Sequence, residues 1–212
     1  ANQEAVEKFT LDKPALICRW RMSNKKVPML NRHIRALSER LVQGEPLTHN
    51  MLSWAKQHVE WSLAEGDYTA RDGVLMLVID INGNAAMTVG EYEPLADTSA
   101  KALRARSAEA RSEADETGVA PELLAAVNDG ELAFVAPADE CLCGTATLIE
   151  QLAQTKGIPV TRVDIPAQLK GALFLVSDEH GVVPATETEA AEADAATVAF
   201  FADGYKKLRA RR

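Results

Sequence analysis

The stretch Cys143–Glu187, CGTATLIEQLAQTKGIPVTRVDIPAQLKGALFLVSDEHGVVPATE, reads as one supersecondary unit. Gly144-Thr145-Ala146-Thr147 opens an amphipathic helix, Lys156-Gly157 ends it, and Ile158-Pro159 starts a strand. A helical turn follows from Pro166. An apolar strand, Ala172 to Val176, then runs out into the polar turn Ser177-Asp178-Glu179-His180-Gly181. A helix start and a strand-end turn brought together offer free N–H groups and hydroxyls, a common place to hold an anion.

Working outward, the 212 residues suffice for one large domain or two small ones, with a real core. A net charge of −8 argues against nucleic acid and anionic membranes as partners. The basic residues that cluster, Arg19 to Arg40 and Lys206 to Arg212, read as a solvated helix face and a tail. No apolar run approaches the roughly 20 residues of a spanning helix, and the polar, acidic Ala1–Lys8 does not read as a signal peptide. Three cysteines fit a reducing cytoplasm better than a disulfide framework. Cys141 and Cys143 form a C-x-C pair without a second Cys/His cluster, so no metal is expected. His33, His49, His58 and His180 are scattered and read as surface or satisfied residues.

Residues 14 to 22 are expected as a strand, Ser23–Lys26 as a hairpin turn, and Val27–Leu30 as a short return strand. Asn31 is a good N-cap for a helix from Arg32 to Val42. Thr48 caps a second helix with Met51, Leu52, Ala55, Val59 and Leu63 on one stripe, flanked by Trp54 and Trp61, and stopped by Gly66-Asp67. Val74–Ile81 and Ala85–Glu91 bracket a hairpin turn at Asn82-Gly83-Asn84. Residues 1–95 therefore read as a small α+β domain, and 96–212 as a second α/β domain after the polar segment Pro94–Ala100. That second part holds an Ala/Arg/Glu-rich helix from Ala102 to Thr117, stopped by Gly118. A hairpin about Asn128-Asp129-Gly130, the opening unit, and a C-terminal helix over Ala190–Leu208 follow.

Nucleophile signatures, a P-loop and G-x-G-x-x-G are all missing from the sequence. Asp178-Glu179 and Asp115-Glu116 are adjacent carboxylates, the pattern of a solvated turn or helix face rather than an acid/base dyad. Two features remain. Gly144–Thr147 supplies N–H groups and hydroxyls for a phosphate, though threonine at a helix start is more often only a cap. Lys101, between the halves of the chain, is a candidate Schiff-base lysine, though a lone lysine is nearly always at the surface.

The order of these parts resembles the fold-type IV (class IV) pyridoxal-phosphate aminotransferases, the family of D-amino-acid and branched-chain aminotransferases and aminodeoxychorismate lyase. Leu30–Leu37 is similar to the family's "EHLERL" segment. Lys101-Ala102-Leu103 with the helix to Gly118 and Glu122-Leu123-Leu124 is similar to "K-x-L-N … G … EALL". Asp129-Gly130-Glu131-Leu132 resembles "DG-x-L", Gly144–Thr147 with Gly157–Val160 resembles "GITR … GI-x-V", and Phe174–Ser177 with Gly181–Pro184 resembles "EVF-x-T-x-T … GV-x-P". The resemblance covers most of the chain, thinly in the N-terminal half. It implies a two-domain fold, a small N-terminal α/β sandwich with a C-terminal α/β pseudo-barrel, working as a homodimer with pyridoxal phosphate. Its substrate would be amino-acid-like and its chemistry a transamination or lyase reaction.

Carried over, Lys101 would be the Schiff-base lysine and general acid/base. Gly144, Thr145, Ala146 and Thr147 would hold the cofactor phosphate, and Ser177 would be a hydroxyl near it. The departures fall on the same functions. The family's phosphate-binding arginine lands on Ala36, and Arg35 lies about 100° round the helix. The segment carrying the family's pyridinium glutamate is deleted, leaving Glu131 as the nearby carboxylate. The "T-x-T" turn has become Ser177-Asp178-Glu179, which puts negative charge beside the phosphate position. The resemblance therefore admits two outcomes, a small active enzyme or a degenerate member acting as a ligand-binding or interaction protein. A third, an unrelated α+β protein, needs the matches to be accidental.

Overall fold

A computed structural model describes residues 11–65, 72–117, 122–187 and 189–211. Among the described residues it contains two larger sheets, each with helices packed on it, and a small two-stranded one. In the first half, β1 (Pro14–Ser23), β4 (Asp72–Asp80) and β5 (Ala85–Glu91) form an antiparallel sheet in the order β1-β4-β5. Alternate residues of β1 and β4 point inward, as the period of a strand with one covered face demands: Leu16, Cys18, Trp20 and Met22 meet Leu75, Leu77 and Ile79. Helices α1 (Leu30–Ser38) and α2 (His49–Glu65) supply Leu37, Ala55, Val59 and Leu63 to this core. The stripe expected on α2 is thus the buried one, and Trp54 and Trp61 beside it are exposed. Thr48 caps α2, its Oγ1 accepting from Met51 N–H at 3.1 Å.

Three local expectations are corrected here. Ser23–Lys26 turns the chain, but only a single bridge, Ser23 to Lys26, follows. Val27–Leu30 does not return as a strand, because Pro28 has no N–H for a ladder, and the long partner of β1 is β4. Helix α1 starts at Leu30, one residue before the expected cap Asn31, from Met29 at φ 60°. It also stops at Ser38, and Leu41–Val42 (β2) pairs with Glu45–Pro46 (β3) across Gln43 and Gly44, both at positive φ. The stop expected at Gly66-Asp67 and the helix stop at Gly118 lie outside the described residues.

In the second half a five-stranded sheet runs β10-β9-β6-β7-β8. Its strands are β6 (Leu123–Asn128), β7 (Glu131–Val135), β8 (Val160–Val163), β9 (Ala172–Ser177) and β10 (Gly181–Pro184). All pairs are antiparallel except β7 with β8, which are joined by the crossover helix α4 (Gly144–Thr155). Strands β6 and β9 are covered on both faces, so they read as continuous apolar runs, LLAAV and ALFLV. One face packs against α4 and α5 (Glu192–Ala210) through Leu123, Ala125, Phe134, Phe174, Ile149 and Phe201. The other packs against α3 (Ala100–Thr117) through Leu124, Ala126, Leu175 and the single large apolar side chain Leu103. The sheets are tied across the chain's halves where Arg21 N–H donates to the Asp178 carbonyl at 3.1 Å. Arg32 of α1 also reaches Thr147 and Gln151 of α4.

Candidate functional site

The opening turn of α4 and the turn Ser177–Gly181 do meet, as the 143–187 unit suggested, and the contact is made by a carboxylate. The N-cap Cys143 offers α4 no side-chain cap. Asp178 does this from the far turn. Its Oδ1 accepts from Thr145 N–H at 2.9 Å and from the Thr145 hydroxyl at 2.8 Å. Thr145 and Ala146 are fully buried and Gly144 is buried. A Cβ added at Gly144 would lie 2.5 Å from His33 Nδ1, so α1 is packed directly on this turn. Thr147, half-buried, donates its hydroxyl to the Gly144 carbonyl at 2.7 Å and accepts from Arg32 at 3.2 Å. Ser177 is buried and its Oγ accepts from His180 N–H at 2.9 Å, which fixes the turn.

His33 completes the contact. It is 2 % exposed, stacks on Trp20 with ring centroids 5.3 Å apart, and places Nδ1 3.6 Å from Asp178 Oδ1. Burial holds its pKa below the ordinary histidine value, with Asp178 opposing that and Arg32 adding to it, so the ring is neutral near pH 7. Nδ1 makes no hydrogen bond to a described residue.

Beside this contact a second polar cluster fills the junction of the halves. Arg21 is buried, with its guanidinium carbon 3.3 Å from the centroid of the Tyr92 ring. Tyr92 Oη lies 3.1 Å from His180 Nδ1, and His180 Nε2 lies 2.9 Å from Glu179 Oε2. Arg106 lies 2.9 Å from Glu122 Oε1, 3.7 Å from Glu179 and 3.2 Å from His180 Nε2. His180 Nε2–H donates to Glu179, and Arg106 donates to Glu122. The His180 hydrogen bond holds the Glu179 carboxyl below its ordinary range against the opposing effect of burial, helped by Arg19 and Arg106. A shallow cavity of about 410 Å³ opens onto this cluster between Val74, Glu91, Glu93, Arg106, Glu179 and His180.

The remaining residues singled out in the sequence stand elsewhere. Lys101 is exposed on the first turn of α3, Arg35 is exposed on α1, and Glu131 is exposed at the start of β7. Among the described residues, none of these three side chains has a hydrogen bond or ion pair to the Thr145–Asp178 contact. His33, Tyr92, Arg21 and Arg106 were not legible as site residues. His33 is stacked on Trp20 and packed on Gly144, Arg21 lies over the Tyr92 ring and His180 lies beside Tyr92, so all three are buried by residues distant in the sequence.

A phosphate does not fit this arrangement. The Thr145 N–H and hydroxyl are already taken by Asp178, His33 is neutral, and a second carboxylate, Glu179, follows in the same turn. Two like unit charges 4 Å apart repel by about 4 kcal/mol at an effective dielectric of 20. Among the described residues no group of three or more His, Cys, Asp or Glu is placed to hold a metal ion, and no helix is long and apolar enough to cross a membrane.

No protein-family model and no curated protein matches the sequence. Solved structures do match. A hypothetical aminotransferase from Mycobacterium tuberculosis, in its apo form, superposes with a TM-score of 0.62 at 14 % identity, over 92 % of this chain and 89 % of that one. A Thermotoga maritima protein provisionally assigned as a branched-chain amino acid aminotransferase gives 0.60 at 15 %, over 94 % and 92 %. One from Legionella pneumophila, provisionally assigned as a 4-amino-4-deoxychorismate lyase, gives 0.61 at 11 %, over 93 % and 97 %. The chain has the fold of the class IV aminotransferases and aminodeoxychorismate lyases. The α+β architecture expected from its sequence is therefore the one observed.

Proposed function

We propose that this chain uses the class IV aminotransferase fold as a ligand-binding or interaction protein, without the fold's cofactor chemistry. The observation that supports this is the Asp178 carboxylate seated on the Thr145 N–H and hydroxyl at 2.9 and 2.8 Å. The protein's own anion occupies the helix start that the resemblance assigns to the cofactor phosphate, held through Gly144–Thr147 and Ser177. The exposure of Lys101, Arg35 and Glu131 supports the same reading, since a Schiff-base lysine, a phosphate ligand and a ring-nitrogen partner all have to line one cleft.

One observation favours a second reading. The Mycobacterium tuberculosis neighbour is also known in a PLP-bound form and with α-ketoglutarate and PMP. On that reading this chain binds pyridoxal phosphate through Lys101 and carries out transamination or a lyase reaction on an amino-acid-like substrate. Both readings carry forward a homodimer in the cytoplasm, with a domain division near residue 95.

The two are separated by a spectrum. The purified protein is mixed with pyridoxal phosphate and its Schiff-base absorbance is recorded before and after borohydride, followed by peptide mapping. The expected result is no band and no reduced adduct on Lys101. A band lost in Lys101→Ala, with the adduct mapped to Lys101, overturns the proposal in favour of the enzyme.

A further inference from the structure

Between the segment that joins β1 to α1 and the last turns of α2 lies a cleft of about 490 Å³, a size usual for small-molecule sites. Val59 and Leu63 of α2, both buried, make its floor, and Val27 and Leu30 make its wall. Lys25 and Lys26 are exposed and make its rim. The cleft is thus apolar below and cationic at its mouth.

A tight turn sets the rim. Ser23 and Lys26 exchange both backbone hydrogen bonds, at 2.8 and 3.1 Å, which leaves Asn24 and Lys25 as the two turn residues. They stand at φ 52° and 61°, where asparagine and glycine are the usual pair. A lysine in this left-handed position costs about 1 kcal/mol, and the turn fixes where its side chain begins. Among the described residues neither lysine side chain is within ion-pair distance of a carboxylate. The opposing charge on the lining is Glu60, exposed on α2, so two cations face one anion in a chain of net charge −8.

We infer that this cleft binds a fatty carboxylate, with the alkyl chain laid on Val27, Leu30, Val59 and Leu63 and the carboxylate between Lys25 and Lys26. The lining has no aromatic side chain, so it offers a planar ring nothing to stack on, whereas branched aliphatic walls suit an alkyl chain. The floor carries no polar side chain to satisfy a sugar or a nucleoside, so the ligand's polar part sits at the rim. Lysine serves there as a point charge for a single carboxylate, and its stem lies over the apolar edge of the cleft. None of these residues belongs to the Thr145–Asp178 contact, so the inference holds whichever reading of that contact is correct.

The test titrates the full chain with decanoate by calorimetry and follows the methyl signals of Val27, Leu30, Val59 and Leu63 by NMR. Saturable binding is expected, with shifts at those methyls. Lengthening the chain from octanoate to decanoate should tighten binding by roughly tenfold. Decanol should bind at least tenfold more weakly than decanoate, and decyltrimethylammonium more weakly still. In Lys25→Gln/Lys26→Gln the advantage of decanoate over decanol should disappear. Ala64→Trp, at an exposed position on the cleft wall, should block binding. Absence of decanoate binding, equal binding of the cationic amphiphile, or undiminished binding to Ala64→Trp each overturns the inference. So do methyl shifts produced by raising the protein concentration alone, which would mean that a second copy covers the cleft. Should either variant fail to fold, the head-group series on the unaltered chain decides it.

Discussion

Asp178 and Thr145, 33 positions apart in the chain, are joined twice, by backbone N–H at 2.9 Å and hydroxyl at 2.8 Å, both to the same carboxylate oxygen. The carboxylate lies at the positive end of α4 and is largely shielded from water, its side chain 12 % exposed. Removing it strips the helix of its side-chain cap and leaves the buried Thr145 donors unpaired. Asp178→Ala should therefore cost about 2 kcal/mol in urea unfolding. The same change vacates an anion site. Inorganic phosphate should raise the Tm of Asp178→Ala and leave that of the parent protein unmoved. An equal response in both would mean that the carboxylate is not what excludes phosphate.

His33 gives the fold a pH dependence with a definite sign. Its folded pKa is lowered, chiefly by burial, so the unfolded chain binds more protons between the folded value and the ordinary 6.5. The stability contributed by the neutral ring is complete above about 6.5 and is lost as pH falls through the folded value. Equilibrium unfolding from pH 8 to pH 5 should show this decline. In His33→Phe, which keeps the stacking on Trp20, that component of the slope should vanish.

Arg106 neutralises Glu122, whose side chain is 15 % exposed and whose Oε2 has no hydrogen-bond partner among the described residues. Arg106→Ala leaves that carboxylate half-buried without its cation, at about 1–2 kcal/mol after allowing for the partial exposure of the arginine. Adding Glu122→Gln should recover part of the loss. Losses that simply add in the double variant would show that the pair is not coupled.

Gly181 closes the turn that carries Asp178. Its φ is +74°, and a Cβ placed there would lie 2.1 Å from the Tyr205 ring, which α5 packs against the turn. Gly181→Ala combines a left-handed backbone with overpacking and should cost roughly 3 kcal/mol. It should also weaken the Asp178 contact, visible as loss of amide exchange protection at Thr145.

Much of this fold was legible because its signals are local. The turn Asn128-Asp129-Gly130, the helix stop Lys156-Gly157 and the apolar strand Ala172–Val176 each act within a few residues, and the elements formed about where those signals put them, the strand running one residue further, to Ser177. The misreadings in the first half have the opposite character. Val27–Leu30 has the composition of a strand, but the place beside β1 was taken by β4, some fifty residues further on.

The site divides in the same way. The sequence by itself determined that a helix start at Gly144–Thr147 and a polar turn at Ser177–Gly181 belong to one unit, and that the turn carries two carboxylates. Only the tertiary structure decided that one of them, Asp178, turns inward onto Thr145. It alone buried His33 against both and left Lys101, Arg35 and Glu131 facing solvent. The physical reason is that periodicity and turn chemistry fix which face of an element is apolar. Which polar group satisfies a buried donor depends on what the other half of the chain brings within 3 Å of it.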